Sequence, residues 1–283
     1  MFCNFRNCRI QPIIPKIHEY EAITVQKTIV GIFLFTQISY ALAISNIENE
    51  RLNLPDEGLS GKLSLSSNGK TGNQEERNDE AGAKVIYRRQ DDIFMILAEK
   101  EYGSKHNTKT TNNSFLHGRW THLLNDTWSV EAFAQREEDE FDNLTSRTLA
   151  GGGVRYLVAH QKDVYSLVFG LGAFHEVEKQ NLVSYNETDK LWRMNSYYTY
   201  KYQIHDNLLF VNTTYYQPST NNWSDFRVLF DSGLHIKIVK NVDISINYKL
   251  THDSQPAKNL SVNPPINNFK TNTEYKTSLS YSF

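Results

Sequence analysis

The chain has 283 residues, with 30 Lys and Arg against 32 Asp and Glu, for a formal net charge of −2. That balance, without a basic stripe, leaves no electrostatic footprint for nucleic acid. Both cysteines, Cys3 and Cys8, lie at the very start, which excludes disulfide staples, cysteine zinc sites and a cysteine nucleophile from everything after them. Mean hydropathy is −0.54; a helical membrane protein needs several apolar runs of about 20 residues, and this sequence has a single run, near its beginning.

In chain order, residues 1–26 form a polar lead that is long for a targeting signal, and the expectation is that translation starts later, near Val25. Lys27 then precedes an apolar run over 28–43 containing Ile29, Val30, Ile32, Phe33, Leu34 and Phe35. It ends in Ala41-Leu42-Ala43, with Ala41 and Ala43 as the small residues a signal peptidase requires. A basic lead, an apolar core and a small-residue exit read as a cleaved secretory signal. A single transmembrane anchor is the alternative, against which the core is short and broken by Gln37 and Ser39. No cysteine follows, so a lipoprotein is not expected. The chain therefore divides into an extension and signal over 1–43, a short periplasmic lead over 44–58, and a main body over 59–283.

From Leu59 onward no amphipathic helix stands out. Segments of roughly ten residues alternate in polarity, the mark of strands with two unlike faces. Val242, Ile244, Ile246, Tyr248 and Leu250 oppose Asp243, Ser245, Asn247 and Lys249. Phe226, Val228, Phe230, Leu234, Ile236 and Ile238 oppose Asp225, Arg227, Asp231, His235 and Lys237. Candidate strands begin near Leu59, Ala81, Asp92, Asn113, Thr127, Ser146, Val164, Lys190, Asn207, Ser224, Val242 and Thr271, about twelve in all, an even number as bacterial outer-membrane barrels require. Short turns, as at Gln90-Asp91, Asn125-Asp126 and Lys240-Asn241, alternate with longer polar stretches over 68–80, 103–112, 137–145, 179–189, 218–223 and 254–268. Short turns at one end and long loops at the other predict an all-β fold, an antiparallel transmembrane barrel. Trp120, Trp128, Tyr165 and Phe283 near one end of the strands, with Trp192, Trp223 and Phe226 near the other, would make the two aromatic girdles. A soluble β-sandwich or lipocalin-like barrel is the competing fold, since its strands alternate too. The last strand carries Leu279, Tyr281 and a terminal Phe283 at every second position, a pattern like the signal read by the outer-membrane assembly machinery.

The segments Gly151-Gly152-Gly153-Val154-Arg155-Tyr156, Gly170-Leu171-Gly172-Ala173-Phe174-His175-Glu176, Tyr215-Tyr216-Gln217-Pro218 with Asp225-Phe226-Arg227, and Lys270-Thr271-Asn272-Thr273 through Phe283 resemble the salt-induced outer-membrane protein family, in an order that spans most of 59–283. The resemblance implies an outer-membrane barrel, with a link to osmotic or envelope stress, and transfers no catalytic residues.

Inward positions should carry Arg119, Glu131, Arg155, Glu176, Glu178, Arg193, Asp225, Arg227, Asp231, Lys237 and Lys249. Either they line a charged ion filter or they pair and plug a narrow barrel, because a lumen of about twelve strands is filled by long side chains and an unpaired buried charge is costly. The glycines at 151–153, 170 and 172 admit a close partner or allow backbone bending. His252-Asp253-Ser254 suggests a hydrolase, but strand neighbours point to opposite faces. The acidic run 137–140 reads as a solvated loop, able at most to hold a divalent cation loosely. The expectation is thus a non-enzymatic, integral outer-membrane protein, with a narrow porin-like channel as the alternative and a lipid-acting enzyme after that. No cofactor or metal is implied. The expected partners are membrane lipid, lipopolysaccharide and the assembly machinery, around a monomer.

Overall fold

A computed structural model describes residues 46–283 except 52–53, 71–74, 142–143, 183–184, 257, 260–265 and 268. Ala41, Ala43, the apolar run and Val25 lie outside the described residues. Alternating polarity becomes strand throughout: β1 (Gly58–Lys70), β2 (Glu76–Arg89), β3 (Asp92–Lys105), β4 (Thr108–Leu123), β5 (Trp128–Asp139), β6 (Leu144–Gln161), β7 (Tyr165–Leu182), β8 (Tyr185–His205), β9 (Leu208–Pro218), β10 (Phe226–Val239), β11 (Val242–Asp253) and β14 (Thr271–Ser282). A two-residue pair, β12 (Lys258–Asn259) and β13 (Ile266–Asn267), decorates the last long loop. Each long strand pairs antiparallel with its sequence neighbour, and β14 returns to β1, so the sheet closes into a twelve-stranded barrel. Closure removes the sheet edges, which in lipid would leave backbone groups unsatisfied.

The closing ladder is short. β1 and β14 pair from Lys62↔Ser282 to Leu65↔Leu279, and Gly61 and Phe283 exchange both backbone hydrogen bonds at 3.1 Å. By contrast, β1 pairs with β2 along its whole length, from Gly58↔Arg88 to Lys70↔Glu76. Gly61 is needed at the seam, because a Cβ there would lie 2.5 Å from the Phe283 ring.

Face assignment follows the period of two. Phe230, Ile246, Tyr275, Leu279, Leu63 and Leu65 are exposed on the outer wall, as are Tyr281 and Phe283, while Asp231, Ser245 and Ser280 are buried on the inner side. The outer wall is thus an apolar belt, with Trp120, Trp128 and Trp192 also on the surface. The short turns fall where expected, but the long-loop end differs. Strands continue through several stretches read as loops. The region 103–112 is a tight turn at His106-Asn107, with φ of 47° and 59°, the left-handed pair that a two-residue hairpin needs. β5 continues through Asp139 and so divides the acidic run between two faces. Glu137 points inward beside Arg147, Glu138 pairs outward with Arg136, and Glu140 pairs with Lys109. Polar residues stand on both faces here, which masks the alternation although the ladder hydrogen bonds continue.

Candidate functional site: an occupied lumen

The barrel interior is filled by two clusters of paired charges and by a short piece of chain that the sequence reading placed in the periplasm. Residues 46–51 run inside the barrel. Asn46 caps a 3-10 turn, Glu48–Arg51, its side-chain oxygen accepting from the Glu48 and Asn49 amides at 3.0 and 3.4 Å. Ile47, 3 % exposed, joins Met95, Leu97 and Phe115 in an inward apolar cluster. The segment then makes polar contacts with five strands of the wall. Asn46 donates to Asp231 on β10 at 3.1 Å. Lys84 on β2 donates to the Glu50 carbonyl oxygen at 2.7 Å and pairs with its carboxylate at 3.0 Å. Arg51 pairs with Glu131 on β5 and donates to Thr121 on β4 at 3.1 Å.

Glu48 is the centre of this cluster. Its carboxylate meets Arg51 at 2.8 Å, Arg119 at 3.2 Å and Arg155 at 3.4 Å. Arg119 also holds Glu131 at 3.0 Å, and the Tyr197 hydroxyl donates to Glu131 from β8 at 3.4 Å. Burial pushes the Glu48 carboxyl up, but Arg51, Arg155 and Arg119 outweigh it and hold the group below its ordinary value. An isolated carboxylate so deeply buried would be neutral instead.

The second cluster lies nearer the long loops and is built from the wall and its loops alone. Arg227 on β10 donates to Glu176 at 2.7 Å, Glu178 at 3.1 Å and Asp253 at 2.9 Å. Arg147 on β6 reaches Glu178 at 2.9 Å and Glu137 at 3.2 Å. Arg193 on β8 reaches Asp225 at 3.0 Å and Glu176 at 3.5 Å. Between the clusters, Phe133, Phe174, His117, Gln217 and Ile47 line a void of about 30 Å³, room for a water or two. Val168, Tyr197, Tyr215 and Leu229 pack as a further buried group on the inner wall. Gly170 makes this possible, since a Cβ there would lie 2.1 Å from the Tyr197 ring. At Gly151, Gly152, Gly153 and Gly172 a Cβ would instead meet the backbone of the neighbouring strand at 2.3–2.5 Å, so these glycines let the strands approach closely.

Of the inward positions singled out from sequence, Arg119, Glu131 and Arg155 fall in the plug cluster. Glu176, Glu178, Arg193, Asp225 and Arg227 fall in the wall cluster. Asp231 binds Asn46, and Lys249 sits 4.0 Å from Glu274. Lys237 joins neither cluster. It has the right parity but stands exposed at the short-turn rim, where β10 ends in a bulge opposite Asp243. Missed from sequence were the plug residues Ile47, Glu48, Glu50 and Arg51. Their only local sign was an Asn cap ahead of acidic residues and an Arg. His252 and Asp253 diverge, the first bonded outward to Thr271 at 2.8 Å and the second inward to Arg227 at 2.9 Å, so they form no triad with Ser254. Among the described residues no group of acidic, His or Cys side chains could hold a metal ion.

Residues 63–283 match a family described as a protein of unknown function, DUF481. Comparison with the curated proteins gave no match. Among solved structures, the translocator domain of the autotransporter NalP from Neisseria meningitidis aligns over 83 % of this chain and 92 % of its own, with a TM-score of 0.51 and 9 % identity. The NanC porin aligns over 79 % of this chain and all of its own, at TM-score 0.49 and 17 % identity. An outer membrane channel from Pseudomonas putida F1 aligns over 82 % and 97 %, at 0.48 and 10 %. At these identities the likeness is one of fold.

Proposed function

Since the chain belongs to DUF481, a family of proteins of unknown function, we propose from its own geometry that it is an integral outer-membrane barrel whose narrow lumen is held shut by residues 46–51. The observation that carries this reading is the path of that segment, which bonds β2, β4, β5, β6 and β10 at once from inside the ring. The apolar outer belt supports the membrane placement, and the short-turn end, where both β1 begins and β14 ends, is assigned to the periplasm. The reading includes no catalytic step. The resemblance to salt-induced outer-membrane proteins adds that expression rises on a salt shift, which immunoblotting before and after the shift checks.

Planar-bilayer conductance of the refolded protein tests the plug. The intact barrel is expected to be nearly silent, and deletion of 46–51 to give resolved conductance steps. An intact barrel that conducts freely would refute the plugged reading. A deletion that stays silent would favour a second reading, a permanently closed barrel, to which the wall cluster lends support because it fills the other half of the lumen without the plug. Membrane placement is tested separately. Ile246→Arg puts a charge on the outer belt and is expected to cost about 2–4 kcal/mol if it lies near the bilayer midplane, while Asn247→Arg, on the inner face, costs much less. Equal penalties in lipid-vesicle refolding would mean that the belt does not face lipid.

A further inference from the structure

The charge around the plug is unevenly divided between the segment and the wall. The wall groups facing it are Arg119, Arg155 and Lys84 against Glu131 and Asp231. The segment itself contributes Glu48, Glu50 and Arg51. If the segment is lifted out, the wall keeps an excess of cations, with two guanidinium groups converging on the point that the Glu48 carboxylate now occupies. Guanidinium groups recognise carboxylates by charge and by planar hydrogen bonding.

The tethered carboxylate does not fully satisfy them. Arg155 Nε and Glu48 Oε2 face each other at 3.4 Å, and both are buried without a hydrogen-bond partner. Glu48 is held by its own backbone, by Ile47 in its apolar cluster and by Arg51, so it cannot move to close that contact. An untethered anion could. Beside Arg119 lies the small void lined by Ile47, Phe133 and Tyr215, and the tilted pair Tyr197–Tyr215, with ring centroids 5.2 Å apart, forms an aromatic floor.

We propose that Arg119 and Arg155 form a carboxylate-binding site in the barrel wall, and that Glu48 is its tethered occupant, mimicking a small free carboxylate that takes the site when residues 46–51 withdraw. This rests on the reading of that segment as a removable plug. Its ligand class is a compact monocarboxylate, which competes with Glu48 and holds the plug out.

Chemical rescue tests the site without relying on conduction. In the refolded full-length protein, Glu48→Ala is expected to lower the midpoint of the heat-dependent mobility shift. Sodium acetate should restore about half or more of that loss in a saturable way, because a ligand that binds only the folded state stabilises it by mass action. Sodium chloride at equal ionic strength should not, and wild type, whose site the tethered Glu48 fills at high effective concentration, should respond far less to acetate. Adding Arg119→Gln and Arg155→Gln to Glu48→Ala should abolish the response. If that triple variant does not fold, line broadening of ¹³C-acetate by folded Glu48→Ala, lost on addition of Arg155→Gln alone, gives the same answer. Acetate and chloride acting alike in Glu48→Ala, or acetate acting equally on wild type, would overturn the proposal. Conductance on deletion without acetate rescue leaves a plug with no anion site. Rescue with a silent bilayer leaves an anion site in a barrel that does not conduct.

Discussion

The two charge clusters use the same side chains in different ways. Around Arg227 every partner comes from the wall or its loops, so the cluster is complete once the strands are in register. Around Glu48 the wall supplies most of the cations, and the balance is reached only when a separate segment enters. The first arrangement is a structural brace. The second is closed by an insert that can leave without breaking any ladder, and its energetics therefore depend on the position of a short stretch of chain.

Substitutions can separate the two. The largest effect is expected from Arg227→Ala. It strips Glu176, Glu178 and Asp253 of a shared partner, and breaking a buried ion pair in this way costs about 3–5 kcal/mol, measured by urea unfolding in lipid vesicles. Arg119→Ala should cost less, about 1–3 kcal/mol, because Arg51 and Arg155 remain beside Glu48 and Arg51 remains beside Glu131. If the order were reversed, the plug would be the brace and the wall cluster the dispensable part.

A pH series sharpens the same contrast. The Glu48 carboxyl titrates below its ordinary value of 4.5 in the folded protein. The charged form is therefore favoured by folding. The stability it contributes is fully present above pH 4.5 and is lost as pH falls through the lowered folded value. The difference in unfolding midpoint between wild type and Glu48→Gln should accordingly be flat from pH 7 to about 5 and shrink on further acidification. A difference that grew on acidification would contradict the arginine cradle. The smallest effect belongs to Lys237→Ala, at an exposed rim position outside both clusters, where a change within about 0.5 kcal/mol is expected in the same unfolding assay.

The contrast also explains what could be read from the residues alone. Phe230, Ile246 and Leu279 alternate with Asp231, Asn247 and Ser280, and a period of two needs no knowledge of neighbours, so the strands and their faces were legible. Inward charge was legible for Arg119, Glu131 and Arg227 for the same reason. Their pairing was not, because which carboxylate meets Arg227 depends on register between β7 and β10, strands that are not adjacent in the sheet. Parity also says nothing of height, which is why Lys237 reads like Arg227 and yet stands at the rim. The segment 46–51 was missed because a single helical turn is too short to show periodicity. The long loops were overestimated because β2 to β8 run on past the apolar belt, where both faces are polar and the alternation fades.

The seam between β1 and β14 places these features on one mechanical path. In a closed hoop every joint carries the same load, so the joint with the fewest rungs yields first. Here that joint is the five-position ladder from Gly61 with Phe283 to Leu65 with Leu279. The strand on one side of it, β1, is also the strand to which the plug is tied, a few residues upstream. The weakest joint of the hoop and the anchor of its stopper are thus on the same strand.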